Sequence, residues 1–172
     1  IVECREQVRN ELKPKYPSIS VFHRVADALL TGDFSGYVVA TPAETHYEIA
    51  LEIINAGCHV LVEKPMTNSV KHAKELIELS KKKKKVLMVD HTYLYTGAIQ
   101  KIKKIIDKNM IGEIQYIDST RINLGLFQPD VNVLWDLAAH DISICSYLMN
   151  ENPISVQAMG KSHTDSDFED IA

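Results

Sequence analysis

The sequence predicts an α/β fold: a parallel sheet built from βαβ units, followed by a second unit with a longer strand of a different sheet. Short apolar runs at residues 36–41, 59–63 and 86–89 are bounded by turn residues and alternate with amphipathic helical stretches. Strands buried on both faces read as continuous apolar runs, and helices between them imply parallel pairing. After residue 89 the pattern changes to a helix, a long alternating stretch and another helix. At 172 residues, 45% hydrophobic and 24% charged, the chain suits one ordinary globular domain or one domain plus part of another.

The elements follow in order. Ile1-Val2-Glu3 reads as the tail of a strand, and a helical pattern from Arg5 to Leu12 follows, stopped near Pro14. Ser20-Val21-Phe22 is a short strand candidate, and residues 25–30 form a short amphipathic helix closed by Gly32. The apolar strand 36–41 runs into Thr41-Pro42-Ala43-Glu44, which predicts a helix start. Thr41 serves as N-cap, Pro42 takes the first helical position and Glu44 completes a capping box. That helix runs to about Ala56 and ends at Gly57, where a left-handed residue is favoured. The strand 59–63 comes next. Asn68 or Ser69 then caps a helix carrying Ala73, Leu76, Ile77 and Leu79, and residues 86–89 form the next strand.

In the second part, Ile99, Ile102, Ile105 and Ile106 line one face of a helix over 98–107, broken by Gly112. The alternation of Ile114, Tyr116, Ile117, Thr120 and Ile122 predicts a longer strand over 113–124 in a different sheet. A loop over 125–134, a helix over 135–149 ended by Pro153 and a strand over 154–159 complete the pattern. The domains are expected to be 1–92 and 93–172.

Composition excludes several classes of function. A net charge of −4 disfavours a nucleic-acid partner. No apolar run approaches the roughly 20 residues of a membrane span, so no membrane association is expected. Cys4, Cys58 and Cys145 are three and scattered, which argues against a disulfide framework and for a reducing, cytoplasmic setting. No cysteine–histidine cluster points to a metal. The run Lys81 to Lys85 fits an anionic docking patch, or the solvated last turn of a helix where cations complement the macrodipole.

Two places can carry chemistry. Val60-Leu61-Val62 is an apolar strand that ends in Glu63-Lys64-Pro65, and ligands of open α/β sheets sit outside the carboxyl ends of strands. Pro65 holds Lys64 to an extended backbone. Lys64 is otherwise a surface lysine at a strand end. Asp136 and His140 are four apart on a predicted helix, one turn apart on one face. A carboxylate there favours the protonated imidazole and orients it, and such a pair can take a proton from a hydroxyl. The same spacing also fits a first-turn acid beside a partly exposed histidine. Asp141 is a further candidate on an adjacent face.

Together these motifs resemble the Gfo/Idh/MocA oxidoreductases. Glu63-Lys64-Pro65 resembles the family's Glu-Lys-Pro motif, Ala40-Thr41-Pro42 with His46 and Ala56-Gly57 its preceding unit, and Asp136-Leu137-Ala138-Ala139-His140 its Asp-x-x-x-His helix. The resemblance implies a partial Rossmann-like domain that binds NAD or NADP, then part of a C-terminal α+β (α/β) domain whose large open mixed sheet mediates homo-oligomers. It also implies hydride transfer between nicotinamide and a hydroxyl carbon of a sugar, sugar nucleotide or polyol. Lys64, His140 and Asp136 then take catalytic roles. Glu3, Thr41, Pro42, His46, Glu63, Lys64 and His91 contact the cofactor, and Tyr93, Arg121, Asn123 and Trp135 contact substrate. The stretch from Asn123 to Phe127, with residues 130–137, resembles members of nucleotide-sugar metabolism.

The sequence departs from the family pattern in the absence of a Gly-rich phosphate loop. Glu3 falls where an acid binds the adenosine ribose, with Arg5 beside it, and Asp90 precedes His91 where many relatives have glycine. The chain is therefore expected to be a fragment, inactive in isolation and without micromolar affinity for NAD or NADH in a calorimetric titration. Alternatives within the fold are a redox-assisted NAD-dependent glycosidase, a ketone or dihydrodiol reductase, and a non-catalytic dinucleotide-sensing regulator.

Overall fold

Parallel pairing of three short strands forms the centre of the first half of the chain. The computed structural model describes residues 1–122, 131–164 and 167–172. It divides into two compact units, Ile1–Val89 and Asp90–Ala172. In the first unit, helices α1 (Glu6–Lys15) and α2 (Val25–Leu29) precede β1 (Gly36–Val39). Then come α3 (His46–Asn55), β2 (His59–Val62), α4 (Val70–Lys83) and β3 (Leu87–Val89). The sheet order is β1-β2-β3, all parallel, with Val39 opposite Val62 and Val62 opposite Val89. The strand that leads into Lys64 is therefore the central one.

The strands are short because their apolar runs are short, and packing rather than propensity holds them. Val39, Val60 and Val62 meet Ala50, Ile53 and Ile54 of α3 and Leu76 of α4 in one buried cluster. Ile53 and Ile54 point inward and Glu52 points out, as a 3.6-residue period requires. Gly57, at φ +83°, provides the left-handed residue that ends α3, and the Cys58 N–H returns to the Ile53 carbonyl at 3.2 Å. Lys81, Lys82 and Lys83 occupy the last turn of α4, and the Lys83 Nζ donates to the Asn55 carbonyl at 3.2 Å.

Several expectations are corrected. The capping box does not form. Residues Ala43–Thr45 make a tight 3-10 turn before α3, and the Thr41 hydroxyl accepts from the Thr45 hydroxyl at 2.7 Å instead of a backbone N–H. A 3-10 turn leaves Thr41 one turn too early to cap α3, whose first residue is His46. Pro14 lies inside the last turn of α1 rather than beyond it. The candidate strands at 1–3 and 20–22 meet only as a parallel bridge between Val2 and Phe22. Phe22, Phe34 and Tyr37 then stack edge to face and link that bridge to β1.

In the second unit, a short 3-10 turn at Thr92–Tyr95 precedes α5 (Gly97–Asp107), and a wide π-type turn at Leu134–Ala138 leads into α6 (Ala139–Met149). The single helix expected over 135–149 thus opens with a different winding. The open mixed sheet is not seen. Among the described residues, neither 113–122 nor 154–159 forms a strand, and only an antiparallel bridge joins Lys161 to Ile171. The reason is that a strand exists only by pairing. Tyr116, Ile122, Ile154 and Val156 are 83%, 88%, 102% and 83% exposed, so among the described residues no strand pairs with these positions or covers them. The end of the expected strand and the start of the loop, residues 123–130, lie outside the described residues. Among the described residues no helix is long and apolar enough to cross a membrane.

Candidate functional site

In the first unit, the parallel register brings the exits of β1 and β2 side by side. The Glu63 N–H donates to the Val39 carbonyl at 2.9 Å, which extends the ladder to the last residue before Lys64. Beyond that point the two chains are joined by a side chain. His46 is 1% exposed, with Nε2 at 2.8 Å from the Thr41 carbonyl and Nδ1 at 2.8 Å from the Pro65 carbonyl. Thr41 and Pro42 are exposed, Glu63 and Lys64 are half-buried, and the Lys64–Pro65 peptide is cis. The arrangement places Lys64 and the exposed Thr41-Pro42 segment at neighbouring strand exits, at the carboxyl end of a parallel sheet where ligands of such sheets bind.

Glu3 is placed on the Val2–Phe22 bridge, not in the ladder of β1. Its carboxylate accepts from Arg5 at Nε (2.9 Å), Nη2 (2.8 Å) and the backbone N–H (2.8 Å). The Arg5 side-chain bonds, then its backbone N–H, hold the Glu3 carboxyl down at about 2. Arg9 donates to the Glu3 and Cys4 carbonyls and lies 3.0 Å from His23 Nδ1. The acid and its neighbouring arginine are thus already paired with each other.

In the second unit, Tyr93, Arg121, His140 and Asp141 come together. The Tyr93 ring meets the His140 imidazole edge to face, centroids 4.7 Å apart. The Arg121 guanidinium lies 5.0 Å from the Tyr93 centroid and donates to the Asp141 carboxylate at 2.8 Å (Nε) and 3.3 Å (Nη2). Ser119 Oγ also donates to Asp141, at 2.8 Å. These bonds, Arg121's first, hold the Asp141 carboxyl below its ordinary range, and the hydrogen bond to Asp141 raises the Arg121 guanidinium. His140, the first-turn histidine of α6, is buried. Asp136 and Trp135 lie in the π-type turn, where the Trp135 N–H donates to Asn132 Oδ1 at 3.1 Å. Such turns recur at functional sites because they re-aim side chains within a helix.

His91 stands at the start of this unit, and burial pushes its imidazole below the usual histidine range, against the opposing charge of Asp90. Asn123 lies outside the described residues. Ser119 was not anticipated, since a lone serine in an extended segment carries no sequence signal. Nor were the Thr41 and Pro65 carbonyls, because backbone acceptors look alike in any sequence.

Residues 4–91 match the model of the oxidoreductase family with the NAD-binding Rossmann fold, and residues 99–172 match the GFO/IDH/MocA C-terminal domain. An uncharacterised oxidoreductase of Schizosaccharomyces pombe is 28% identical over 140 residues, 76% of this chain and 38% of that protein. UDP-N-acetylglucosamine 3-dehydrogenase of Acidithiobacillus ferrooxidans is 31% identical over 162 residues, 92% of this chain and 47% of that protein. The chain thus spans less than half the length of these relatives. Among solved structures, GenD2 from gentamicin A biosynthesis, in complex with NAD, superposes with a TM-score of 0.84 at 25% identity, over 98% of this chain and 51% of that one. This chain belongs to the GFO/IDH/MocA oxidoreductases, with an NAD(P)-binding Rossmann fold in its first half and the family's C-terminal domain in its second.

Proposed function

We propose that this chain supplies the reacting half of an NAD(P)-dependent dehydrogenase acting on a CH–OH carbon of a sugar, sugar nucleotide or polyol. The observation that carries the proposal is Lys64 at the exit of the central parallel strand, beside the exposed Thr41-Pro42 edge. The residues present fit a nicotinamide group there: the carboxyl ends of two paired parallel strands, a lysine and a tethered, exposed Thr-Pro loop. Thr41, Pro42, Glu63 and Lys64 would hold the group, with His91 a further cofactor contact. A bound nicotinamide supplies the carbon that accepts or returns hydride.

The protein's part is positioning and proton transfer. His140 takes the proton of the substrate hydroxyl as its carbon is oxidised. Lys64 steadies the developing alkoxide by charge and hydrogen bonding, most strongly where water is excluded. Asp136 orients the imidazole. Tyr93, packed on His140, and Arg121, behind Tyr93, shape the substrate side, with Trp135 at its edge. A nucleotide-sugar substrate is favoured by the similarity to UDP-N-acetylglucosamine 3-dehydrogenase across 92% of the chain.

The test is turnover by the full-length protein, followed by absorbance of the reduced cofactor with NAD or NADP against UDP-sugars and inositols. Lys64→Ala and His140→Ala should each lower kcat by about a hundredfold to ten-thousandfold, with dinucleotide binding retained. Turnover untouched by both substitutions points to a dinucleotide sensor instead and overturns the assignment.

A further inference from the structure

His46 has no polar atom left for a ligand. Its ring is 1% exposed, and both nitrogens already face backbone carbonyls at 2.8 Å. Those carbonyls belong to the two segments that border the proposed cofactor site. Thr41 lies just beyond β1, five residues back, and Pro65 lies just beyond β2, nineteen residues on. Both lie past the strand ends, where the ladder no longer supplies partners and a buried carbonyl is costly to leave unmade. One rigid ring spans the two.

A neutral imidazole donates to one carbonyl, and a doubly protonated ring donates to both. No other natural side chain offers two hydrogen-bonding nitrogens at opposite edges of a flat ring this small. The ring is in turn anchored by α3, whose Ala50, Ile53 and Ile54 are fully buried in the core. The separation of Thr41 from Pro65 is therefore set by the core through His46. Lys64, next to Pro65 in the chain, inherits that placement.

We propose that His46 is a positioning residue for Lys64: its buried ring, wedged between the Thr41 and Pro65 carbonyls, fixes the Lys64-Pro65 turn against the Thr41-Pro42 loop, and it does not itself touch the dinucleotide. The proposal rests on the catalytic role given to Lys64 above. Misplacing a catalytic group by about 1 Å costs on the order of a hundredfold in rate, so loss of the ring should act on kcat through Lys64.

The experiment is a double-mutant cycle in the full-length protein: wild type, His46→Phe, Lys64→Ala and the double variant. Each is measured for kcat, for dinucleotide KM and for thermal midpoint. Phenylalanine keeps the ring volume and makes neither bond. His46→Phe is expected to lower kcat by about tenfold to a hundredfold. The double variant is expected to match Lys64→Ala within about twofold, because coupled residues are non-additive. His46→Gln, which can reach one carbonyl, should recover part of kcat, and it carries the same cycle if the phenylalanine variant does not fold. Additive losses overturn the proposal, since a general structural effect is indifferent to Lys64. Wild-type kcat in the single His46 variants overturns it too. Wild-type kcat in Lys64→Ala overturns the catalytic reading of Lys64 itself, and this inference with it.

Discussion

Asp141→Ala tests whether the Arg121 clamp organises the substrate side. Asp141 accepts three hydrogen bonds, from Arg121 Nε and Nη2 at 2.8 and 3.3 Å and from Ser119 Oγ at 2.8 Å. The Arg121 and Asp141 side chains are 28% and 23% exposed, between the surface and buried regimes. Exposed ion pairs contribute about 0–1 kcal/mol, and breaking a fully buried pair costs about 3–5 kcal/mol. A partly buried pair that also leaves Ser119 and Arg121 without their acceptor should cost about 2 kcal/mol. For a chain of this size that corresponds to a fall in melting temperature of about 4–8 °C.

The effect reaches the site because Arg121, once released, no longer sits over the Tyr93 ring that packs on His140. Turnover of the full-length protein should therefore fall while dinucleotide binding holds. The pH dependence has a definite sign. The Asp141 carboxyl is held below its ordinary value of 3.8, so the folded state binds its proton less readily than the unfolded chain. Its stabilisation is fully present above that value and is lost as pH falls through the lowered pKa. The wild-type advantage over Asp141→Ala should shrink in that acid window and also in high salt. The assay is thermal unfolding by circular dichroism at pH 7 and pH 3, alongside kinetics. Equal melting temperatures and equal kcat for both proteins would refute the reasoning and reduce the clamp to a solvated surface contact.

Two further outcomes are expected. Glu3 and Asp170 are each held down at about 2, by Arg5 and by the His163 backbone N–H and ring respectively. Acid titration followed by fluorescence should show stability lost between about pH 4.5 and 2, with Glu3→Gln and Asp170→Asn flattening that limb; an unchanged limb in both variants removes these pairs as its source. Ile53→Ala deletes a side chain that is 1% exposed in the centre of the sheet–helix cluster and should cost about 2–5 kcal/mol in urea unfolding, whereas a loss below about 1 kcal/mol would mean that α3 is loosely seated.

Much of the first unit was legible locally. Strands at residues 36–39, 59–62 and 87–89 and helices α3 and α4 follow from periodicity and from Gly57, because side-chain direction repeats every 2 or 3.6 residues whatever the rest of the chain does. The same signal misjudged Thr41, since a cap depends on where the first turn starts, and the 3-10 turn at Ala43–Thr45 moved that start by several residues. It also predicted a second sheet from the alternation at 113–122 and 154–159. Alternation states only which side chains would share a face. Pairing needs a neighbour, and none lies alongside among the described residues.

By itself the sequence determined the βαβ order, the placement of Lys64 at a strand exit and the membership carried by the motifs at Thr41-Pro42, Glu63-Lys64-Pro65 and Asp136 with His140. Tertiary structure alone decided which partners those residues keep. His46 meets a carbonyl nineteen residues away, and Arg121 meets a carboxylate twenty residues away. Contacts of that length depend on how elements pack, and no local period encodes them. For that reason the sequence offers His46 only as one residue of the Thr-Pro unit, and the structure shows its two ring nitrogens facing carbonyls of two separate segments.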